Sequence, residues 1–141
     1  MSKNSRKQCD ERRLQAIETI KATLQREPTV LFAFLHGSFL SGPVFRDIDI
    51  GVFLTPGESF SDLDIELDLS HKVEAVLGYA FPAEVKPINH APLAFCYSVV
   101  RGRLLFSKNE SVLVDFMTRV AREYLDFAPL RHRYLKEAML T

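Results

Sequence analysis

The chain has 141 residues, 47% of them hydrophobic and 26% charged, the make-up of one ordinary globular domain that buries its own core without staples. Eighteen Lys and Arg balance eighteen Asp and Glu, so no whole-molecule field draws in DNA or an anionic membrane. The two cysteines, Cys9 and Cys96, stand in unrelated contexts outside any CxxC pair, which excludes a disulfide framework and a structural zinc site.

Residues 1–13 carry five Lys or Arg against two acids, and residues 1–9 are expected to form a flexible basic N-terminal tail. The opening MSKNSRKQCDERR lacks the apolar centre of a secretory signal. No apolar run approaches the ~20 residues of a bilayer span, so the expected location is the cytoplasm, away from any membrane. Residues 10–26 place Leu14, Ile17, Ile20 and Leu24 at helical spacing, and Glu27-Pro28 stops that helix. VLFAFLHGS follows, a near-continuous apolar run that suits a strand buried on both faces and ends in a Gly-Ser turn.

RDIDIGVFL alternates, with Asp47 and Asp49 on one face and Ile48 and Ile50 on the other. TPGESFS is a loop, Ser61 an N-cap, and the helix after it runs to about Leu77 and ends at Gly78. Phe81 to Ile88 reads as a third strand weakened by two prolines. A helix near Pro92, a short RGRLLFS strand or turn, and an amphipathic helix from Glu110 to Phe127 complete the order, with Pro129 expected to interrupt before a short last helix. There is no repeat, linker or low-complexity segment, so residues 1–141 are read as a single α+β domain.

From Asp47 to Asp68 there are seven acids and no Lys or Arg. Within that run, Asp47 and Asp49 stand about 6.6 Å apart along one strand face. At an effective dielectric of 20 two such carboxylates repel by roughly 2 kcal/mol, and hard oxygen donors of this kind suit Mg²⁺, which relieves the repulsion. A bare Asp-x-Asp reads more simply as a half-exposed edge strand whose polar face carries acids. Upstream, Gly37-Ser38 opens a turn in which backbone N–H groups and a hydroxyl can approach an anion. A phosphate-cradling turn eight residues before a metal-binding pair outlines a triphosphate–Mg²⁺ site. His36, His71, His90 and His132 have no metal-ligand spacing, and His36 reads most simply as a hydrogen-bonded core histidine. Lys86 is a candidate phosphate partner; Arg46 is a second.

LHGSFLSGPVFRDIDIGVFL resembles the signature of the polymerase-β-type nucleotidyltransferase superfamily, in which one strand ends in Gly-Ser and the next begins with Asp-x-Asp. AEVKPINHAP, through Ile88, Asn89, Ala91 and Pro92, and REYLDFAPL extend the similarity over most of the chain from about residue 14. The resemblance implies the nucleotidyltransferase fold, a small mixed β-sheet flanked by helices. It implies Gly37 and Ser38 on the β- and γ-phosphates of ATP, Asp47 and Asp49 on Mg²⁺, and Glu84 as a third carboxylate completing a two-metal site. Two departures stand out: the spacer from Ser38 to Asp47 is shorter than is usual in the family, and the third acid is Glu, which could instead pair with Lys86.

The small size is similar to that of the minimal nucleotidyltransferases that act as antitoxins beside a HEPN-domain toxin. The resemblance therefore implies transfer of AMP from ATP to an acceptor hydroxyl, a tyrosine of the HEPN toxin partner. Two other readings stay open: a catalytically degenerate antitoxin that only binds, and a nucleotidyltransferase acting on a small molecule or an RNA end. An oligomer is compatible with all three.

Overall fold

The apolar runs of the sequence become the strands. In the computed structural model, which describes the backbone of residues 3–37, 39, 47–57 and 61–140 and the side chains of 10–37, 39, 47–57 and 61–126, β1 (Val30–His36) and β2 (Ile48–Leu54) lie antiparallel at the centre of the sheet. On one side β3 (Ala83–Pro87) joins β2 in parallel; on the other, β4 (Arg103–Ser107) pairs with β1 antiparallel, giving the order β3-β2-β1-β4. The sheet is mixed, as the family resemblance implies. RGRLLFS resolves into a strand.

Each face of the sheet is covered by two helices. On the first face Ala33, Leu35, Ile48, Ile50, Val52 and Val85 meet α1 (Lys3–Gln25), through Ile17, Ile20 and Leu24, and α2 (Asp62–Val76), through Leu69 and Val73. On the second, Phe32, Phe34 and Ile88 meet α3 (Leu93–Val100) and α4 (Glu110–Leu140) through Cys96, Val99, Leu113, Phe116 and Val120. Gly51 lets α3 come this close: a Cβ there would stand 2.6 Å from a Val99 methyl.

Local signals set the boundaries. Ser61 caps α2 by accepting from the Asp64 N–H at 3.2 Å, with Asp62 and Asp64 in the electropositive first turn. The helix closes at Leu77 ahead of Gly78, whose φ is +65°. The edge strand β3 would leave N–H donors unpaired, and α2 supplies the acceptors: Ala83 N–H donates to Glu74 at 3.0 Å and Val85 N–H to the Ser70 hydroxyl at 2.9 Å. Asn89 clamps the far end of β2, accepting from Leu54 N–H at 2.8 Å and donating to Leu54 C=O at 2.9 Å. The Asn89 of the family-like segment is thus a structural fastener between β3 and β2.

Two expectations need correction. The first helix begins at Lys3, not near Asp10, so residues 3–9, expected to be a tail, are helical in backbone; no Gly or Pro between them and Asp10 breaks the helix. The last helix runs unbroken from Glu110 to Leu140 through Pro129. A proline deletes a single backbone donor, and the strong helix formers in LRHRYLKEAML sustain the helix beyond it. Among the described residues, no helix is long and apolar enough to cross a membrane.

Candidate functional site

Strand register, more than any loop, assembles the site. His36, the last residue of β1, is the cross-strand partner of Asp49, and Asp49 is in turn the partner of Glu84 on β3. Residues directly opposite each other on neighbouring strands share a face, with Cβ atoms about 5 Å apart. His36, Asp49 and Glu84 therefore form a row across three strands, backed one row further in by Phe34, Gly51 and Lys86. Asp47 stands just before β2, two residues from Asp49, and adds to the negative charge that Asp49 feels.

The same alternation explains the burial. Ile48 and Ile50 are fully buried on the opposite face, holding β2 in register, whereas Asp49 is half-buried and Asp47 and Glu84 are exposed. Gly37, directly after β1, has φ +83°, and a Cβ there would lie 2.7 Å from Asp49 Oδ2. Only glycine combines this backbone with that proximity. The result is an open cradle directly against a carboxylate oxygen. Ser38 and Arg46 lie outside the described residues.

The charges are mutually perturbed. Burial raises the Asp49 carboxyl above its ordinary value, Glu84 and Asp47 push it further up, and His36 and Lys86 oppose the rise. Burial likewise lowers the His36 imidazole, against the pull of Asp49 and Glu84 and with the help of Lys86. Lys86 is raised by its hydrogen bond to Glu84, at 3.2 Å. Glu84 thus stands opposite Asp49 on β3 while its carboxylate turns to Lys86. Among the described residues no three His, Cys, Asp or Glu side chains gather closely enough to hold an ion. The paired acids Asp47 and Asp49, with the cradle at Gly37, still suit a hard cation carried in with phosphate: they are oxygen donors, and the crowding that raises Asp49 is what a cation relieves.

Several residues of the site carry no sequence signal. Phe95 of α3 stands between the row's flanks, with the His36 ring edge-on at 5.6 Å and the Lys86 ammonium 5.8 Å from its centroid. His36 is accordingly a half-buried rim residue and not a core histidine. One cleft opens at the His36 end of the row and another beside Lys86. One, of about 450 Å³, lies past Gly37 and is lined by His36, Tyr97, Ser98, Arg101 and Tyr124 among others. The other, of about 410 Å³, lies along β3 and is lined by Asp62, Glu66, Lys86, His90 and Phe95 among others. Phe95 and Tyr97 read from sequence only as members of an apolar helix; their placement depends on contacts between distant segments.

Residues 18–111 match a family model described as polymerase beta, nucleotidyltransferase. Comparison with curated protein sequences gives no match. Among solved structures, the chain is similar to one in the complex of tri-AMPylated Shewanella oneidensis HEPN toxin with an MNT antitoxin, at 18% identity and TM-score 0.67, over 90% of this chain and 98% of the other. It is similar to a chain of a toxin–antitoxin complex with AMP-PNP, at 20% identity and TM-score 0.67, over 87% and 98% of the two chains. A third similarity is to a chain of the MntA-HepT toxin–antitoxin, at 16% identity and TM-score 0.61, over 92% and 98%. These likenesses are likenesses of fold.

Proposed function

The chain belongs to the polymerase beta nucleotidyltransferase family, and on that premise we propose that it transfers AMP from ATP to a tyrosine hydroxyl of a HEPN toxin, which it thereby neutralises in the cytoplasm. The observation that carries this reading is the row His36–Asp49–Glu84 with the Gly37 cradle set against Asp49. The fold neighbours add support, one being a complex with a tri-AMPylated HEPN toxin and another a complex with AMP-PNP.

In this reading the backbone at Gly37, with Ser38, holds the β- and γ-phosphates, and Asp47 and Asp49, joined by Glu84 once it leaves Lys86, would hold Mg²⁺. The ions, when bound, neutralise phosphate charge and acidify the acceptor hydroxyl. The acceptor oxygen forms a bond to the α-phosphorus, its proton passes to the Glu84 carboxylate, and the bond from the α-phosphorus to the bridging oxygen breaks with its electron pair leaving on pyrophosphate. Lys86 pairs with Glu84 at 3.2 Å, and when Glu84 turns to the site the freed ammonium is offered to a phosphate oxygen. The chain's main contribution is positioning and electrostatics.

The Glu84–Lys86 pair also favours a second reading, an antitoxin that acts by binding alone. Incubation with α-labelled ATP, Mg²⁺ and the toxin separates the two. Label carried to the toxin by wild type and lost in Asp47→Asn supports the transferase. Neutralisation that survives Asp47→Asn/Asp49→Asn without any transfer supports the binder.

A further inference from the structure

We infer that Arg101 grips the β- and γ-phosphates of the nucleotide and stabilises pyrophosphate as it departs through the cleft beyond Gly37. This rests on the adenylyl-transfer reading and deepens it by assigning the leaving-group side of the site.

An in-line displacement sets the entering and leaving oxygens on opposite sides of the phosphorus. The carboxylate that takes the acceptor's proton stands at the β3 end of the row, and Gly37 continues β1 at the other end. The leaving oxygen therefore points past Gly37, where the larger cleft opens. As the bond breaks, negative charge accumulates there. Among the described residues lining that cleft, Arg101 is the one Lys or Arg.

Its setting suits the task. Among the described residues Arg101 makes no ion pair with a carboxylate. Its guanidinium lies 5.6 Å from the centroid of the Tyr97 ring, and Tyr97 is stacked on Tyr124 at 3.8 Å with 7° between the planes. That stack links α3 to α4 and sets an aromatic face beside the guanidinium, a contact that consumes none of its hydrogen-bond donors. Ser98, three residues earlier on α3, brings a hydroxyl to the same cleft. A planar fork of N–H donors beside a backbone cradle matches the oxygens of a pyrophosphate.

Calorimetry on the full chain with inorganic pyrophosphate and, separately, with AMP, each with Mg²⁺, tests the assignment in wild type, Arg101→Ala and Arg101→Gln. The glutamine variant keeps an aliphatic stem against Tyr97 and guards against a folding defect in the alanine variant. Both variants are expected to bind pyrophosphate about 10- to 100-fold more weakly, with AMP affinity changed less than about twofold on the same scale. Their kcat/KM for ATP should fall by a factor similar to the loss of pyrophosphate affinity. Unchanged pyrophosphate affinity, or a loss confined to AMP, overturns the assignment. If wild type transfers AMP and the Arg101 variants transfer it undiminished, only the Arg101 assignment falls; if wild type transfers none to the toxin, the transferase reading falls first.

Discussion

Gly37 and Asp49 stand back to back: the position a Gly37 Cβ would take is 2.7 Å from Asp49 Oδ2, and Gly37 holds φ at +83°. Gly37→Ala therefore meets two obstacles at once, a backbone that L residues rarely adopt and a carboxylate in the way. The variant is expected to lose about 1–3 kcal/mol of stability and to weaken nucleotide binding by at least tenfold, since the turn must open to relieve the contact. Chemical denaturation and AMP-PNP titration measure the two effects. A variant with unaltered nucleotide affinity would remove the cradle from the site.

Asp49 is held above its ordinary carboxyl value of 3.8, first by burial and then by Glu84 and Asp47. The folded state thus keeps this proton more firmly than the unfolded one does. Ionising Asp49 costs stability, a cost absent below 3.8 and complete above the folded value. Asp49→Asn is expected to be more stable than wild type at neutral pH without divalent ions, with the difference vanishing on acidification through the carboxylate range. Its AMP transfer should nevertheless fall about 10²- to 10³-fold. Denaturation midpoints across a pH series check the first expectation, and label transfer checks the second. A less stable variant at neutral pH contradicts the account of the crowded acids.

His36 shifts the other way, below 6.5, with burial the leading cause. Its neutral form is favoured by folding, so its contribution to stability is complete above 6.5 and is lost as pH falls through the folded value. His36→Phe keeps an aromatic edge toward Phe95 and removes the titration. The stability of wild type relative to this variant should decline on acidification below 6.5, whereas a constant difference would mean that the imidazole carries no such linkage.

Which parts of the molecule were legible follows from what each rests on. The strands β1 and β2, the Ser61 cap and the Gly78 stop are local signals, and each is where the sequence puts it. Asp49 was legible as chemistry because the alternation of its strand puts it with Asp47 on a definite face, and Glu84 only through the family resemblance. Their alignment with His36 was not, because register between β1, β2 and β3 is settled by the packing of both faces. The Phe95 platform and the Arg101–Tyr97–Tyr124 stack depend on how α3 and α4 dock, and nothing in an apolar helix pattern distinguishes a rim aromatic from a core one. Pro129 misled because its local cost is real, yet one missing donor does not end a helix whose flanks favour it.

Asn89 fastens β2 through both its amide groups to Leu54 N–H and C=O, at 2.8 and 2.9 Å. Asn89→Ala leaves both backbone groups without partners and should cost about 1–3 kcal/mol. Because Leu54 is at the opposite end of β2 from Asp49, activity per folded molecule should be retained. Thermal melting paired with active-site titration separates the two quantities; a specific-activity loss larger than the loss of folded protein would assign Asn89 a part in the site.

Glu84 offers the sharpest separation of stability from function. Its ion pair with Lys86 is exposed on both sides, at 53% and 44%, and exposed pairs contribute little, within about 1 kcal/mol. Glu84→Gln keeps the shape and much of the hydrogen bonding to Lys86, so the fold and the sheet register should be undisturbed. The row, however, loses the carboxylate that completes it opposite Asp49. If that carboxylate receives the acceptor's proton, AMP transfer should fall about 10²-fold or more, and the melting temperature should stay within a few degrees. Lys86→Ala supplies the counter-test, because it frees Glu84 without removing it and should leave far more activity than Glu84→Gln does. Equal activity in wild type and Glu84→Gln would return Glu84 to the surface as a partner of Lys86 and leave Asp47 and Asp49 to carry the site among the described acids.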